Sequence, residues 1–131
     1  MELKDVQQVY FISKEIAMYE RELEKIKAAV GTRSPEMSDM PKGNTQKNMV
    51  EEYSVNIKYY EEMIEKAKAR AEVEKIKIME YVESIDDSLM RQIIFYRHIL
   101  LLPWGIVARE IGGRNTADGL RMIHKRFFRK K

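Results

Sequence analysis

Seven residues, Val9, Ile12, Ile16, Tyr19, Leu23, Ile26 and Val30, follow one another at alternating steps of three and four. That alternation keeps to one stripe of an α-helix and to neither face of a strand, so it predicts a helix with a buried seam. Nothing between residues 2 and 30 breaks a helix, and Glu20, Glu22, Glu24, Lys25 and Lys27 fall on the outer side. A second seam runs through Val50, Tyr53, Ile57, Tyr60, Ile64, Ala67 and Ala71, is interrupted at Glu74, and resumes at Ile78, Tyr81 and Ile85. Two seams of this length joined by a reversing loop predict a long antiparallel helical hairpin, coiled-coil-like in its packing.

The expected hairpin occupies residues 1–84, with helices over about 2–30 and 45–83 and a loop over 31–44. Gly31 is expected just past the first helix, and Thr45 is a candidate cap for the second. The loop contains Pro35, Pro41, Gly31 and Gly43 and lacks the GK[ST] pattern of a phosphate-binding loop. An antiparallel register would set Val30 against Val50, Leu23 against Ile57 and Val9 against Ala71. Small Ala67 and Ala71 would then leave room for Tyr10 and Phe11. Beyond that overlap the second helix continues for roughly ten residues, or about 15 Å. Its apolar face broadens there to Val73, Ile76, Ile78, Met79, Tyr81, Val82 and Ile85, and so asks for a further neighbour: the C-terminal segment or a second subunit.

Residues 85–131 read as a second, three-helix domain. Ser84, Asp86 and Asp87 mark a break, with Ser84 or Asp86 capping the next helix, although an unbroken helix is an alternative. An apolar anchor helix with Leu89, Ile93, Phe95, Tyr96, Ile99, Leu100 and Leu101 extends to about Leu102. Pro103 suits the first turn of the helix after it, expected over 103–111 with Trp104, Val107, Ala108 and Ile111 inward and Trp104 filling the core. Ala108 and Gly112 allow two helices to cross steeply through a tight turn, and Thr116 or Asn115 then caps the last helix. This is a helix-turn-helix pattern, and the expected fold is all-α.

Charge is segregated along the chain. Residues 1–90 hold 14 Lys/Arg against 19 Asp/Glu, a net of −5, whereas residues 91–131 hold 10 against 2, a net of +8. A basic end of this kind is either the footprint of a polyanion-binding surface or a solubilising tail. On the last helix Leu120, Ile123, His124 and Phe127 form the apolar side. The candidate DNA-binding residues are Arg114, Asn115, Thr116, Asp118, Arg121, Met122, Lys125, Arg126 and Arg129. Lys and Arg neutralise phosphates without reading sequence. Near the helix start, Arg121 can pair with guanine, Asn115 with adenine, and Met122 can lie against a thymine methyl.

The segment IIFYRHILLLPWGIVAREIGGRNTADGLRMIHKRFF resembles the C-terminal part of small phage transcriptional regulators of the ArpU/RinA type. Their helix-turn-helix is similar to region 4 of sigma-70 factors. Arg97, Trp104, Ala108 and the turn Ile111-Gly112-Gly113-Arg114-Asn115-Thr116 carry the resemblance. The hairpin, with Ser38-Asp39-Met40-Pro41-Lys42-Gly43 in its loop, resembles the helical part of related phage proteins. The resemblance implies binding of promoter DNA in phage or prophage transcription, with RNA polymerase as a further partner. Nothing matches the sigma segment that melts the −10 element, and Pro103-Trp104-Gly105 replaces the polar cap expected at the first helix.

The composition argues against an enzyme. There are two histidines, no cysteine, no Gly-rich phosphate cradle and no Ser/His/Asp spacing. No cofactor or metal is expected. His98 reads as a surface or half-buried residue and His124 as a packed or phosphate-near one. No stretch has the length of a membrane span, and charged residues follow Met1 without a secretory signal, so the expected setting is the cytoplasm of a bacterial host. The seams can pair within a chain or between chains, which leaves a homodimer through the hairpin open. The alternatives are a phage DNA-packaging protein like a terminase small subunit, which assembles into rings, and a coiled-coil adaptor that binds no DNA.

Overall fold

The computed structural model describes the backbone of residues 1–31 and 43–130, and the side chains of residues 1–29 and 54–130. The described backbone is all-helical and holds no strand. A single turn, α1 (Leu3–Val6), is followed by α2 (Gln8–Gly31), α3 (Gly43–Glu83), α4 (Ser88–Ile94), α5 (Trp104–Ile111) and α6 (Ala117–Arg129). A π-helical turn, Phe95–Ile99, continues α4. Residues 32–42 of the expected loop, and the pairing of Val30 with Val50, lie outside the described residues. The helices start and stop slightly differently from the expectation. Gly31 is the last residue of α2 rather than the one after it, and α3 begins at Gly43 rather than after Thr45.

Two compact units divide the chain, one made of residues 1–12 and 70–131 and the other of residues 13–69. Every described seam position of both long helices is buried or half-buried. In the unit of residues 13–69, Leu23, Ile64 and Ala67 are buried, and the Tyr19 and Tyr60 rings meet at 6.2 Å.

The other unit is built on one apolar core. Val6 from α1, Val9 from α2, Ile78 near the end of α3, Ile85 just past it, Met90, Ile93 and Ile94 from α4, Val107 from α5, and Leu120 and Phe128 from α6 form a single cluster. Burying a side chain of this size stabilises by about 1.5–3 kcal/mol. Of the broad apolar face expected on α3, Ile78, Tyr81, Val82 and Ile85 pack into this core, whereas Val73, Ile76 and Met79 remain exposed. Tyr10 and Phe11 are 44% and 55% exposed.

The break before α4 is pinned by Asp87, not by Ser84 or Asp86. The Asp87 carboxylate accepts from the Leu89 N–H at 3.2 Å, and the Arg91 guanidinium donates to the carbonyls of Ile85 and Asp86. The Ser84 hydroxyl instead donates back to the Tyr81 carbonyl at 2.6 Å and helps close α3.

The π-helical turn decides what the anchor helix presents. After Met90 and Ile93, ordinary helical spacing would turn residue 97 inward. The wider turn advances the pattern by one residue, so His98 is buried and Arg97 lies at the side. The segment closes with the Leu100 N–H on the Phe95 carbonyl and the Leu102 N–H on the Tyr96 carbonyl. Leu101 between them has φ 58°. A residue with a Cβ costs roughly 1–2 kcal/mol in that region. Pro103 is the cap residue of α5 and not its first residue; its carbonyl accepts from Ile106 and Val107.

Candidate nucleic-acid interface

The turn between α5 and α6 places the candidate residues. Gly112 ends α5 with φ 76° and ψ −160°, and its N–H donates to the Ala108 carbonyl at 2.9 Å. Gly113 follows at φ 68°. The Asn115 amide donates to the Gly112 carbonyl at 3.0 Å, and the Thr116 hydroxyl accepts from the Gly119 N–H at 3.0 Å as the cap of α6. Asn115 and Thr116 therefore use their side chains to build the turn, and Thr116 is the cap.

Gly112 allows a test with a sign. A Cβ there would meet nothing within 4 Å, so replacing it by Ala costs only backbone strain. The region it occupies is essentially reserved for glycine, and the expected loss is about 1–3 kcal/mol. Gly105 also has open space around its would-be Cβ but sits inside α5. Gly105→Ala is expected to gain roughly 0.5–1 kcal/mol. Urea melts of the two variants should move in opposite directions; a shift of the same sign would contradict the conformational account.

On α6, Leu120, His124 and Phe128 are buried, and Ile123 and Phe127 are half-buried. Phe128 joins the core in addition to the expected Phe127. Around the helix at 100° per residue, the opposite side carries Asp118, Met122, Lys125 and Arg129, with Arg126 and Arg121 on its two flanks. All six are exposed, as is Arg114 in the turn. Asp118 and Arg121 form a surface ion pair at 3.1 Å, whereas Lys125, Arg126 and Arg129 take no carboxylate partner among the described residues. A solvent-facing row of this kind, free of opposing charge on one edge, can neutralise successive phosphates of a polyanion.

Behind this row lies an arrangement that the sequence reading missed. The Nε2 atoms of His98 and His124 are 2.7 Å apart, and their rings stack at 5.0 Å between centroids. His98 is 4% exposed and so is not the surface or half-buried residue expected, whereas His124, 8% exposed, is packed as one of its two expected readings has it. One ring must donate and the other accept, so the acceptor is neutral with its lone pair at Nε2, and when both rings are neutral they are opposite tautomers. Burial, then the neighbouring His124, then the Arg97 guanidinium lower the His98 pKa to about 3. Burial and Arg97 lower that of His124 to about 4. The spacing of His124, four residues from both Leu120 and Phe128, was the available signal for its burial. His98 has a weaker form of the same signal, standing four residues after the fully buried Ile94, and the π-helical turn carries it further inward.

Trp104 is half-buried and does not fill the core as expected. Its ring meets His124 at 5.2 Å edge to face, and the Arg97 guanidinium lies 5.0 Å from its centroid. Arg97 also donates to the Leu102 carbonyl at 3.0 Å, so one side chain ties the strained Leu101 turn to the first helix of the motif. Trp104, Arg97, His98 and His124 line a cleft of about 510 Å³, together with Leu101, Arg121 and Lys125 and with Leu3, Gln7, Tyr10 and Phe11 from the first residues of the chain.

Among the described residues, no three His, Cys, Asp or Glu side chains are grouped to hold a metal ion, and no helix is long and apolar enough to cross a membrane. Comparison with protein-family models, curated proteins and solved structures gives no match.

Proposed function

We propose that this protein is a sequence-specific DNA-binding transcriptional regulator of phage or prophage origin acting in the cytoplasm of a bacterial host. In this reading α2 and α3 form an antiparallel hairpin, and residues 85–131 form a helix-turn-helix in which α6 enters the major groove. The resemblance to ArpU/RinA-type regulators and to sigma-70 region 4 supports it. The observation that carries it is the exposed row of α6, with Met122, Lys125, Arg126 and Arg129 solvent-facing next to a glycine turn. Lys125, Arg126 and Arg129 bind phosphates, and Arg114 reaches the backbone beside the turn. Arg121 and Met122 read base edges. Arg121 first leaves Asp118, which costs little because exposed ion pairs are worth about 0–1 kcal/mol. Asn115 and Thr116 act by fixing the angle of α6, and RNA polymerase is the further partner.

Selection from a pool of randomised duplexes tests the reading. A regulator enriches one motif, and Arg121→Ala relaxes the preference at one position of it. Enrichment of no motif by a chain that still binds DNA would favour the packaging reading. That alternative draws on the exposed Val73, Ile76 and Met79 of α3, which offer a surface for self-association. A ring-sized mass in solution would support it, whereas a monomer or a dimer through the hairpin fits the regulator.

A further inference from the structure

We propose that the cleft beside α6 binds a small planar aromatic anion, a ring of nucleobase size carrying a phosphate or carboxylate. The inference rests on the cleft alone and not on the DNA reading. Its volume of about 510 Å³ falls within the range of roughly 300–1,000 Å³ typical of small-molecule sites. Its walls divide by chemistry. Tyr10 and Phe11 lie edge to face at 5.4 Å and are 44% and 55% exposed, so they present aromatic surface to whatever enters. The half-buried Trp104 also lines the cleft. Aromatic surfaces of this kind stack with planar rings and exclude water from them.

The charge is one-sided. Arg97, Arg121 and Lys125 line the cleft, and no Asp or Glu does. Arg97 already serves the Leu102 carbonyl, and Arg121 holds Asp118 outside the lining, which leaves Lys125 as the cation best placed to receive an anionic substituent. The buried His98 and His124 also line the cleft, as a pair whose Nε2 atoms are already hydrogen-bonded to each other. With both pKa values well below neutral, the pair adds planar surface and no charge at pH 7. An apolar molecule would leave the cations uncompensated, and a bare anion would leave the rings in water. A planar ring with one anionic group satisfies both.

Trp104 is the only tryptophan, so its indole N–H gives a single resonance that reports on the cleft. The full chain would be titrated with adenosine monophosphate and with 1-naphthoate, and with adenosine and inorganic phosphate as half-ligands, by proton–nitrogen NMR and calorimetry. Saturable one-to-one binding of either aromatic anion, shifting the Trp104 indole, is the expected result, with both half-ligands weaker by about tenfold. Lys125→Ala should weaken the anions and leave adenosine unchanged, and Phe11→Ala should weaken the anions and adenosine alike. Both residues are exposed, and an unchanged backbone spectrum confirms that the variants fold. No shift of the indole by either anion at millimolar concentration would overturn the proposal. So would losses with Lys125→Ala that Phe11→Ala does not share, since that pattern marks contact with a bare anion. Neither outcome depends on whether the chain binds DNA.

Discussion

A fragment of residues 85–131 alone is expected to be unfolded or molten, although it contains the whole candidate helix-turn-helix. Val6, Val9 and Ile78 are at most 1% exposed and belong to the same cluster as Met90, Val107 and Leu120. Removing residues 1–84 deletes all three, together with the half-buried Met1, Tyr81 and Val82 that pack on that cluster. At about 1.5–3 kcal/mol per fully buried side chain, the loss is roughly 5–9 kcal/mol. That is comparable to the whole stability of a small domain, about 5–15 kcal/mol. The remaining core would be too small to hold three short helices, one of which carries the strained Leu101. Far-UV circular dichroism and amide dispersion check this: a weak, non-cooperative melt and collapsed amide shifts are expected. A dispersed spectrum and a cooperative melt from the fragment would show that the three helices need neither α1 nor α3.

Acid should unfold the unit of residues 1–12 and 70–131 through its histidine pair. Both folded pKa values, about 3 for His98 and about 4 for His124, lie below the ordinary 6.5 of an exposed imidazole. The unfolded chain therefore takes up protons as the pH falls below 6.5, while the folded chain stays neutral at these rings. Stability is fully present above 6.5 and declines down to about 3–4. A loss on the order of 3 kcal/mol for each ring, roughly 6 kcal/mol for the pair, is expected by pH 4. Urea melts at pH 7 and pH 4.5 measure it. Replacing both rings, His98→Leu with His124→Leu, should flatten the dependence with little change at neutral pH, because neither polar partner is then left alone. His124→Leu alone strands the His98 Nε2 and should cost about 1–3 kcal/mol at pH 7. Equal stability of the parent chain at both pH values would contradict the buried pair.

Much of the fold is legible in the sequence because it rests on periodicity. The alternating three and four steps place Val9, Leu23, Ile64, Ala67 and Ile78 on buried stripes, and each is buried. The break near residues 84–87 and the turn at Gly112 were readable from local chemistry, since few residues tolerate those conformations. Asp87 rather than Asp86 as the cap was not readable, because adjacent acids offer the same oxygen and packing chooses between them. The π-helical turn left no mark at all. It carries His98 further inward and Arg97 aside, and both line the cleft. Trp104 looked like a core residue for its size, yet the Arg97 guanidinium and the His124 ring hold it at the edge of a cleft.

The candidate interface is legible in part for the same reason. The exposed side of α6 follows from its helical period once Leu120 is known to face inward, which puts Met122, Lys125, Arg126 and Arg129 in solvent. Side-chain commitments are not periodic. Asn115 and Thr116 are drawn into the turn, and Arg121 pairs with Asp118, because short-range hydrogen bonds claim whatever lies one turn away.

Fluorescence anisotropy of a labelled mixed-sequence duplex, titrated with the full chain at several salt concentrations, tests the DNA-binding reading most directly. Binding that weakens steeply with salt is predicted, and removing Lys125, Arg126 or Arg129 should each reduce the slope of log K against log salt by about 1. No binding at low salt, or binding that those three substitutions leave unchanged, would contradict it.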